Sequence, residues 1–246
     1  MRLKGKVAIV TGGGSGFGAE ICRKYKEEGA QVVVLDVNEA GGKAVSSDVG
    51  GRFFKCDVTK REQIASAVYG TLAAYDKIDV YVNNAGITHT NKPLLEIEEE
   101  WFDKIFAVNV KAIFLSALEM VPIYRKQGGG VIINIASTAG VRPRPGLVVY
   151  NSSKGAAITM TRALAIELAP DNIRVTAINP VAGETPLLKE FMGGDTPELR
   201  EKFRSSVPLG RLSTPRDIAN TAAFLASDEA AFLTGVAIEV DGGRCI

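Results

Sequence analysis

Short runs of strand-forming residues, most of them rich in valine and isoleucine, recur along this chain, and they constrain its fold more than any other feature. They fall at Val7–Thr11, Gln31–Leu35, Arg52–Lys55, Val80–Val82, Val131–Ile135, Arg174–Asn179 and Ala237–Val240. Val7–Val10, Val32–Leu35, Val80–Val82 and Val131–Ile133 within them are continuously apolar. A strand with one wet face would alternate, whereas parallel strands covered on both faces read as continuous apolar runs. Between them, Ala19–Glu28, Arg61–Tyr75, Glu98–Met120 and Tyr150–Leu168 carry apolar residues at helical spacing. Strand–helix alternation of this kind predicts an α/β chain: a doubly wound parallel sheet with helices on both faces.

The chain has 246 residues, a length that α/β folds reach as one unit. No repeat or low-complexity linker divides it, so one domain spanning 1–246 is expected. The stretch 182–210 stands apart. It mixes glycine and proline with two short amphipathic pieces, Pro186–Phe191 and Pro197–Phe203, and reads as a substrate lid or as a surface excursion. Formal net charge is +1, which gives no overall field for nucleic acid or an anionic membrane. The apolar run Val7–Val10 near the N-terminus is too short for a leader, and no stretch approaches the ~20 apolar residues of a membrane span. The three cysteines, Cys22, Cys56 and Cys245, are scattered, and the only histidine is His89. A zinc site is therefore not expected, and no metal is needed. Scattered thiols suit a reducing compartment, and a soluble cytoplasmic protein is expected.

A glycine-rich turn, Gly12-Gly13-Gly14-Ser15-Gly16-Phe17-Gly18, lies between the first strand and the first helix. Glycines at that junction allow a tight turn and let backbone approach a pyrophosphate at the helix N-terminus. Asp36 ends the second strand, where a carboxylate can accept hydrogen bonds from adenosine ribose hydroxyls. The same carboxylate would repel a 2′-phosphate. Its neighbours Val37 and Asn38 supply no cation, so NAD(H) is expected over NADP(H). The architecture is then a Rossmann-type sheet.

At this point the chain resembles the short-chain dehydrogenase/reductase family from end to end. Thr11, Gly12, Gly16 and Gly18 meet its TGxxxGxG spacing, and Asn83-Asn84-Ala85-Gly86 its NNAG stretch. Tyr150 to Lys154 supplies YxxxK, Ser137 fits the upstream serine, and Asn109 the helix asparagine. Tyr150 and Lys154 at i,i+4 share one helix face. An ammonium there is expected to lower the phenol pKa and ready Tyr150 as general acid/base. The resemblance implies that Ser137 steadies the substrate oxygen, that Lys154 also grips the nicotinamide ribose, and that Asn109 holds a water linking Lys154 to solvent. It implies cofactor contacts from Gly12, Ser15, Gly16, Phe17, Gly18, Asn83, Asn84 and Gly86. It places Asp57 beside the adenine with Val58 next to it, a helix N-cap or turn acid being the alternative for Asp57. It implies a homotetramer built from Glu98–Met120 and Tyr150–Leu168, with the C-terminal Asp241–Ile246 near a subunit interface.

One departure concerns the sixth strand. The family has Pro-Gly there, and this chain has Pro180-Val181. Gly183 follows, and Thr185 falls where the family threonine meets the nicotinamide carboxamide, so the local backbone path is the open question. Pocket candidates are Ile87 and His89, Ala139 to Leu147, and Leu187 to Met192. Arg142 and Arg144 read either as binders of an anionic substrate group or as a solvated loop or subunit contact. The expected activity is NAD-dependent interconversion of a secondary alcohol, of sugar, polyol or hydroxy-acid type, and its carbonyl. A 3-oxoacyl-thioester reductase is the alternative, disfavoured by Asp36 because those enzymes usually favour NADPH. A dinucleotide sensor without turnover would show a broken catalytic set, whereas Ser137, Tyr150 and Lys154 are intact.

Overall fold

The computed structural model describes residues 1–246. In chain order the elements are β1 (Val7–Thr11), α1 (Gly16–Glu27), β2 (Gln31–Asp36), α2 (Glu39–Asp48), β3 (Arg52–Lys55), α3 (Arg61–Tyr75), β4 (Val80–Asn83), α4 (Glu99–Phe106), α5 (Ala112–Gln127), β5 (Gly130–Ile135), α6 (Val148–Leu168), β6 (Ile173–Pro180), α7 (Leu188–Met192), α8 (Pro197–Ser205), α9 (Pro215–Ala226) and β7 (Ala237–Val240). The strands form one seven-stranded sheet in the order β3-β2-β1-β4-β5-β6-β7. Every pairing is parallel. This is the expected single-domain, Rossmann-type doubly wound sheet.

Successive strand residues point to opposite faces, and here both faces are dry. Val10, Val34, Val82 and Ile133 pack with Ile21, Tyr25, Ile218 and Ala222 of α1 and α9. Their neighbours Ile9, Val33, Tyr81 and Ile132 pack with Ile64, Leu115, Met120, Tyr124 and Leu168 of α3, α5 and α6. Two cores on either side of one sheet explain why the strand runs do not alternate. The winding direction reverses between β1 and β4, and the crevice at such a reversal is where open α/β sheets bind ligands.

Three elements differ from expectation. The run Glu98–Met120 is divided: α4 passes through a π-helical turn at Ala107–Lys111 before α5 begins, and α5 continues to Gln127 across Pro122. Contrary to expectation, Glu99–Gln127 is long and apolar enough to cross a membrane by length and composition alone, with half of its apolar window buried inside the molecule. Helices α2 and α9 escape the periodicity reading. Helix α9 is announced instead by a capping box, in which the Thr214 hydroxyl accepts from the Asp217 N–H while the Asp217 carboxylate accepts from the Thr214 N–H.

Candidate active site

A cavity of about 330 Å³ lies along the C-terminal ends of the strands and crosses the β1/β4 reversal. Gly12, Ser15, Gly16 and Phe17 of the glycine turn line one side. A Cβ on Gly12, which has φ +61°, would stand 2.9 Å from Ala85 Cα. Thr11 ties this turn to the Asn84–Gly86 loop: its hydroxyl accepts from the N–H groups of Asn84 and Ala85, each at 3.0 Å. The Asn84 amide donates to the carbonyls of Thr11 and Gly12 at 2.9 and 3.1 Å. Ser15 caps α1 without spending its side chain on the helix, and no acid occupies the first turn. The free N–H groups of that turn are thus an anion site with no built-in counter-charge.

Asp36, Val37, Asp57 and Val58 line the far end. One Asp36 oxygen accepts from the Gly14 N–H and the other from the Asn38 N–H, both at 2.8 Å. A carboxylate has about four lone-pair sites, so each oxygen can still accept from a ribose hydroxyl. Asp57 accepts from the N–H and hydroxyl of Thr59, making it both a turn acid and a wall residue. The only cations lining the cavity are Arg144 and Lys154, which belong to the segments after β5 rather than to this end.

The reactive end is built by β5 and α6. Ser137 caps the short turn Thr138–Gly140 and its hydroxyl accepts from the Ala139 N–H at 3.1 Å. Tyr150 and Lys154 lie one turn apart on α6, and all three side chains line the cavity. Lys154 Nζ donates to the Ile135 carbonyl at 2.8 Å and stands 5.7 Å from the centre of the Tyr150 ring. Gly86 lies against this pair: a Cβ there would be 3.4 Å from both Lys154 Nζ and Asn109 Oδ1.

Electrostatics corrects one expectation. Burial pushes the Tyr150 phenol up to about 12, with the Ser137 hydroxyl acting in the opposite direction. Burial also brings the Lys154 ammonium down to about 8. The ammonium was expected to lower the phenol, but for two buried side chains desolvation outweighs it and favours the neutral form of each group. Near neutral pH the protonated phenol is therefore poised to donate to a carbonyl oxygen.

Several expected residues lie elsewhere. Asn83 does not line the cavity: its amide donates to Asn134 Oδ1 and accepts from the Ser116 hydroxyl, joining β4 to β5 and α5. Gly18 is buried behind the turn, where a Cβ would stand 2.2 Å from the Gly12 carbonyl oxygen. It permits close packing rather than contact. Asn109, on the π-helical turn, bonds to the Ile87 N–H and carbonyl and to the Ser153 hydroxyl. It positions the Ile87 loop and makes no direct bond to Lys154. His89 is buried outside the cavity, with Nδ1 2.9 Å from the Thr90 carbonyl. Arg142 is exposed and donates to the carbonyls of Arg244 and Ile246, so it ties down the C-terminus and does not face the cavity.

Val181 settles the departure after β6. It is buried, lines the cavity, and extends the sheet by donating to the Val240 carbonyl at 3.2 Å. Glycine is needed two residues later: a Cβ at Gly183 would stand 2.6 Å from the Phe17 ring. Gly183 and Thr185 both line the cavity. The segment 182–210 roofs the site with Leu187, Phe191 and Phe203, backed by a small core of Leu188, Met192, Phe203 and Leu212. The Phe191 ring packs on Tyr150 at 5.0 Å. Phe203 was not foreseen as a site residue. Its signal is its place on the amphipathic piece, which turns it inward beneath Arg144.

A doubly wound sheet with Ser137, Tyr150 and Lys154 gathered at its ligand crevice has the make-up of an oxidoreductase. The chain belongs to the short-chain dehydrogenase/reductase family, and a family model described as enoyl-(acyl carrier protein) reductase matches residues 12–244. It is 48% identical over 252 residues to 4-formylbenzenesulfonate dehydrogenase of Comamonas testosteroni, covering 100% of both chains. Cyclopentanol dehydrogenase of the same species is 37% identical, with 98% of each chain covered. Among solved structures, a 3-ketoacyl-(acyl-carrier-protein) reductase from Brucella melitensis complexed with NADH superposes with a TM-score of 0.95. It is 45% identical and the match covers 99% of this chain and 100% of that one.

Proposed function

We propose that this protein is an NAD(H)-dependent dehydrogenase that interconverts an alcohol and its carbonyl, secondary alcohols of sugar, polyol or hydroxy-acid type being the expected class. The observation that carries this reading is one continuous cavity with Asp36 at one end and Ser137, Tyr150 and Lys154 at the other. The residues fit a dinucleotide: glycine backbone and a bare helix N-terminus can face its pyrophosphate, and Asp36, with no cation beside it, a ribose without 2′-phosphate. A bound nicotinamide would supply or accept the hydride. Ser137 would hold the substrate oxygen by its hydroxyl. Tyr150 donates the phenolic proton to a carbonyl oxygen, or receives the proton of an alcohol in the reverse direction. Lys154, 5.7 Å from the Tyr150 ring centre, would favour the phenolate needed in that direction only while it keeps its own proton, below about 8, and its pull is smaller than the burial that keeps the free phenol neutral.

Two measurements test this. NADH is expected to give a higher kcat/KM than NADPH with any good substrate, and the reverse order would overturn the assignment of Asp36. Tyr150→Phe is expected to lose nearly all turnover while NADH still binds, as followed by NADH fluorescence.

A 3-oxoacyl-thioester reductase is the second reading. Asp36 loses its force against it, because the Brucella reductase with that description was crystallised with NADH. Turnover of acetoacetyl-CoA against a panel of secondary alcohols separates the two. We also propose a homotetramer in a reducing cytoplasm. Phe102, Phe114 and Leu118 on α4 and α5 and Ile166 on α6 leave apolar surface exposed where subunits would meet.

A further inference from the structure

Arg144 is a cation that the protein prepares but does not neutralise. Its guanidinium lies 4.4 Å from the centre of the Phe203 ring and donates to Ser206 Oγ at 3.2 Å. Its backbone carbonyl accepts from Asn151 Nδ2 at 2.8 Å, so the arginine loop is anchored to the residue next to Tyr150. No carboxylate lies within ion-pair distance of Arg144. Burial brings its pKa down to about 10, and the like charges of Arg244 and Arg142 add to the fall. The acids that line the cavity, Asp36 and Asp57, stand at the end beside the glycine turn. Ala139, Leu147 and Phe191 pack around Tyr150 at the reactive end, and Val181 and Leu187 add to the apolar lining of the cavity.

We propose that Arg144 is the receptor for a carboxylate or sulfonate carried by the substrate, and that the apolar walls hold a ring or chain joining this acid group to the reacting carbon. The substrate class is then an acidic alcohol or carbonyl compound with an apolar body. This rests on the dehydrogenase reading above and adds the residue that sets specificity. A half-buried guanidinium stacked on an aromatic ring and fixed by one hydrogen bond keeps other N–H groups in a fork suited to a two-oxygen anion. The resemblance to a 4-formylbenzenesulfonate dehydrogenase is consistent with such a substrate.

The test uses the full-length protein with paired secondary alcohols, 4-(1-hydroxyethyl)benzenesulfonate and 4-(1-hydroxyethyl)benzoate against uncharged 1-(4-methylphenyl)ethanol. Arg144→Met is expected to raise KM for the acidic substrates by roughly 10- to 100-fold, the worth of a hydrogen bond to a charged group. KM for 1-(4-methylphenyl)ethanol and for NAD should stay within about twofold. Benzenesulfonate, as a dead-end inhibitor, should weaken by the same factor, and Arg144→Lys should recover part of the loss. Equal effects on charged and uncharged substrates, or unchanged KM for the acids, would overturn the assignment. NADH binding and turnover of the neutral alcohol report on the dehydrogenase reading separately, so its failure cannot be mistaken for failure of the receptor.

Discussion

Lys154 holds its proton in a place that does not favour it. Burial brings it from the ordinary 10.5 to about 8. In the unfolded chain it binds a proton up to its ordinary pKa, whereas in the folded protein it releases one above about 8. Below about 8 both states are protonated and the full desolvation cost stands against folding. Between about 8 and 10.5 the unfolded state binds more protons, so stability rises with pH. At 1.36 kcal/mol per pKa unit, a fall from 10.5 to about 8 amounts to roughly 3 kcal/mol. Urea unfolding at pH 7.5 and 9.5 is therefore expected to show the parent protein gaining on Lys154→Met as pH rises. A constant difference between the two would mean that Lys154 is better solvated than its burial implies. Tyr150, raised to about 12, behaves oppositely: the unfolded phenol ionises first, and stability falls above about 10. At this scale YxxxK was legible from spacing, but the shifts were not, because burial depends on Ser137, Phe191 and the roof, which spacing does not encode. The two arginines show the same limit. They look equivalent in Val141–Pro145, yet Arg144 faces the cavity and Arg142 the C-terminus.

Helix α9 shows what periodicity misses and local chemistry supplies. Its start is fixed by Thr214 and Asp217, with Pro215 at the first turn and Arg211 paired to the Asp217 carboxylate at 2.6 Å. Arg211 and the capping contacts hold that carboxyl well below the usual carboxylate range. Thr214→Ala should cost about 1 kcal/mol and lower Tm by roughly 2–4 °C for a chain of this size, with kcat unchanged. A differential scanning trace checks the first, and a fall in kcat would show that α9 reaches the site through Ser213 or Gly183. The π-helical turn at Ala107–Lys111 is the opposite case. Val108-Asn109-Val110 continues an apolar helical pattern, so nothing in the spacing announced the extra residue. Its effect is to set Asn109 against the Ile87 loop, where its amide satisfies two backbone groups.

At the scale of the whole molecule the fold was the most legible feature, because continuous Val/Ile runs permit little besides a sheet covered on both faces. Strand order was not encoded in any single run; it lies in the long-range pairing of β1 with both β2 and β4. Assembly is tested at this scale too. Light scattering of the purified protein is expected to give the mass of four chains, and Phe114→Glu with Ile166→Glu is expected to yield smaller species. A monomeric parent protein would discard the subunit contacts proposed for α4 to α6.

The parallel sheet presents all its strand ends on one side, and the chain divides its labour among the loops that leave them. In the proposed reading cofactor choice rests on turns before residue 60 and proton transfer on β5 and α6, while 182–210 supplies the roof. The molecule is thus modular in the sense an engineer would use. Grafting a foreign roof onto this chassis, with Arg144 retained or replaced, should move substrate preference while nucleotide preference stays put, and diversity libraries can leave the first third of the gene untouched.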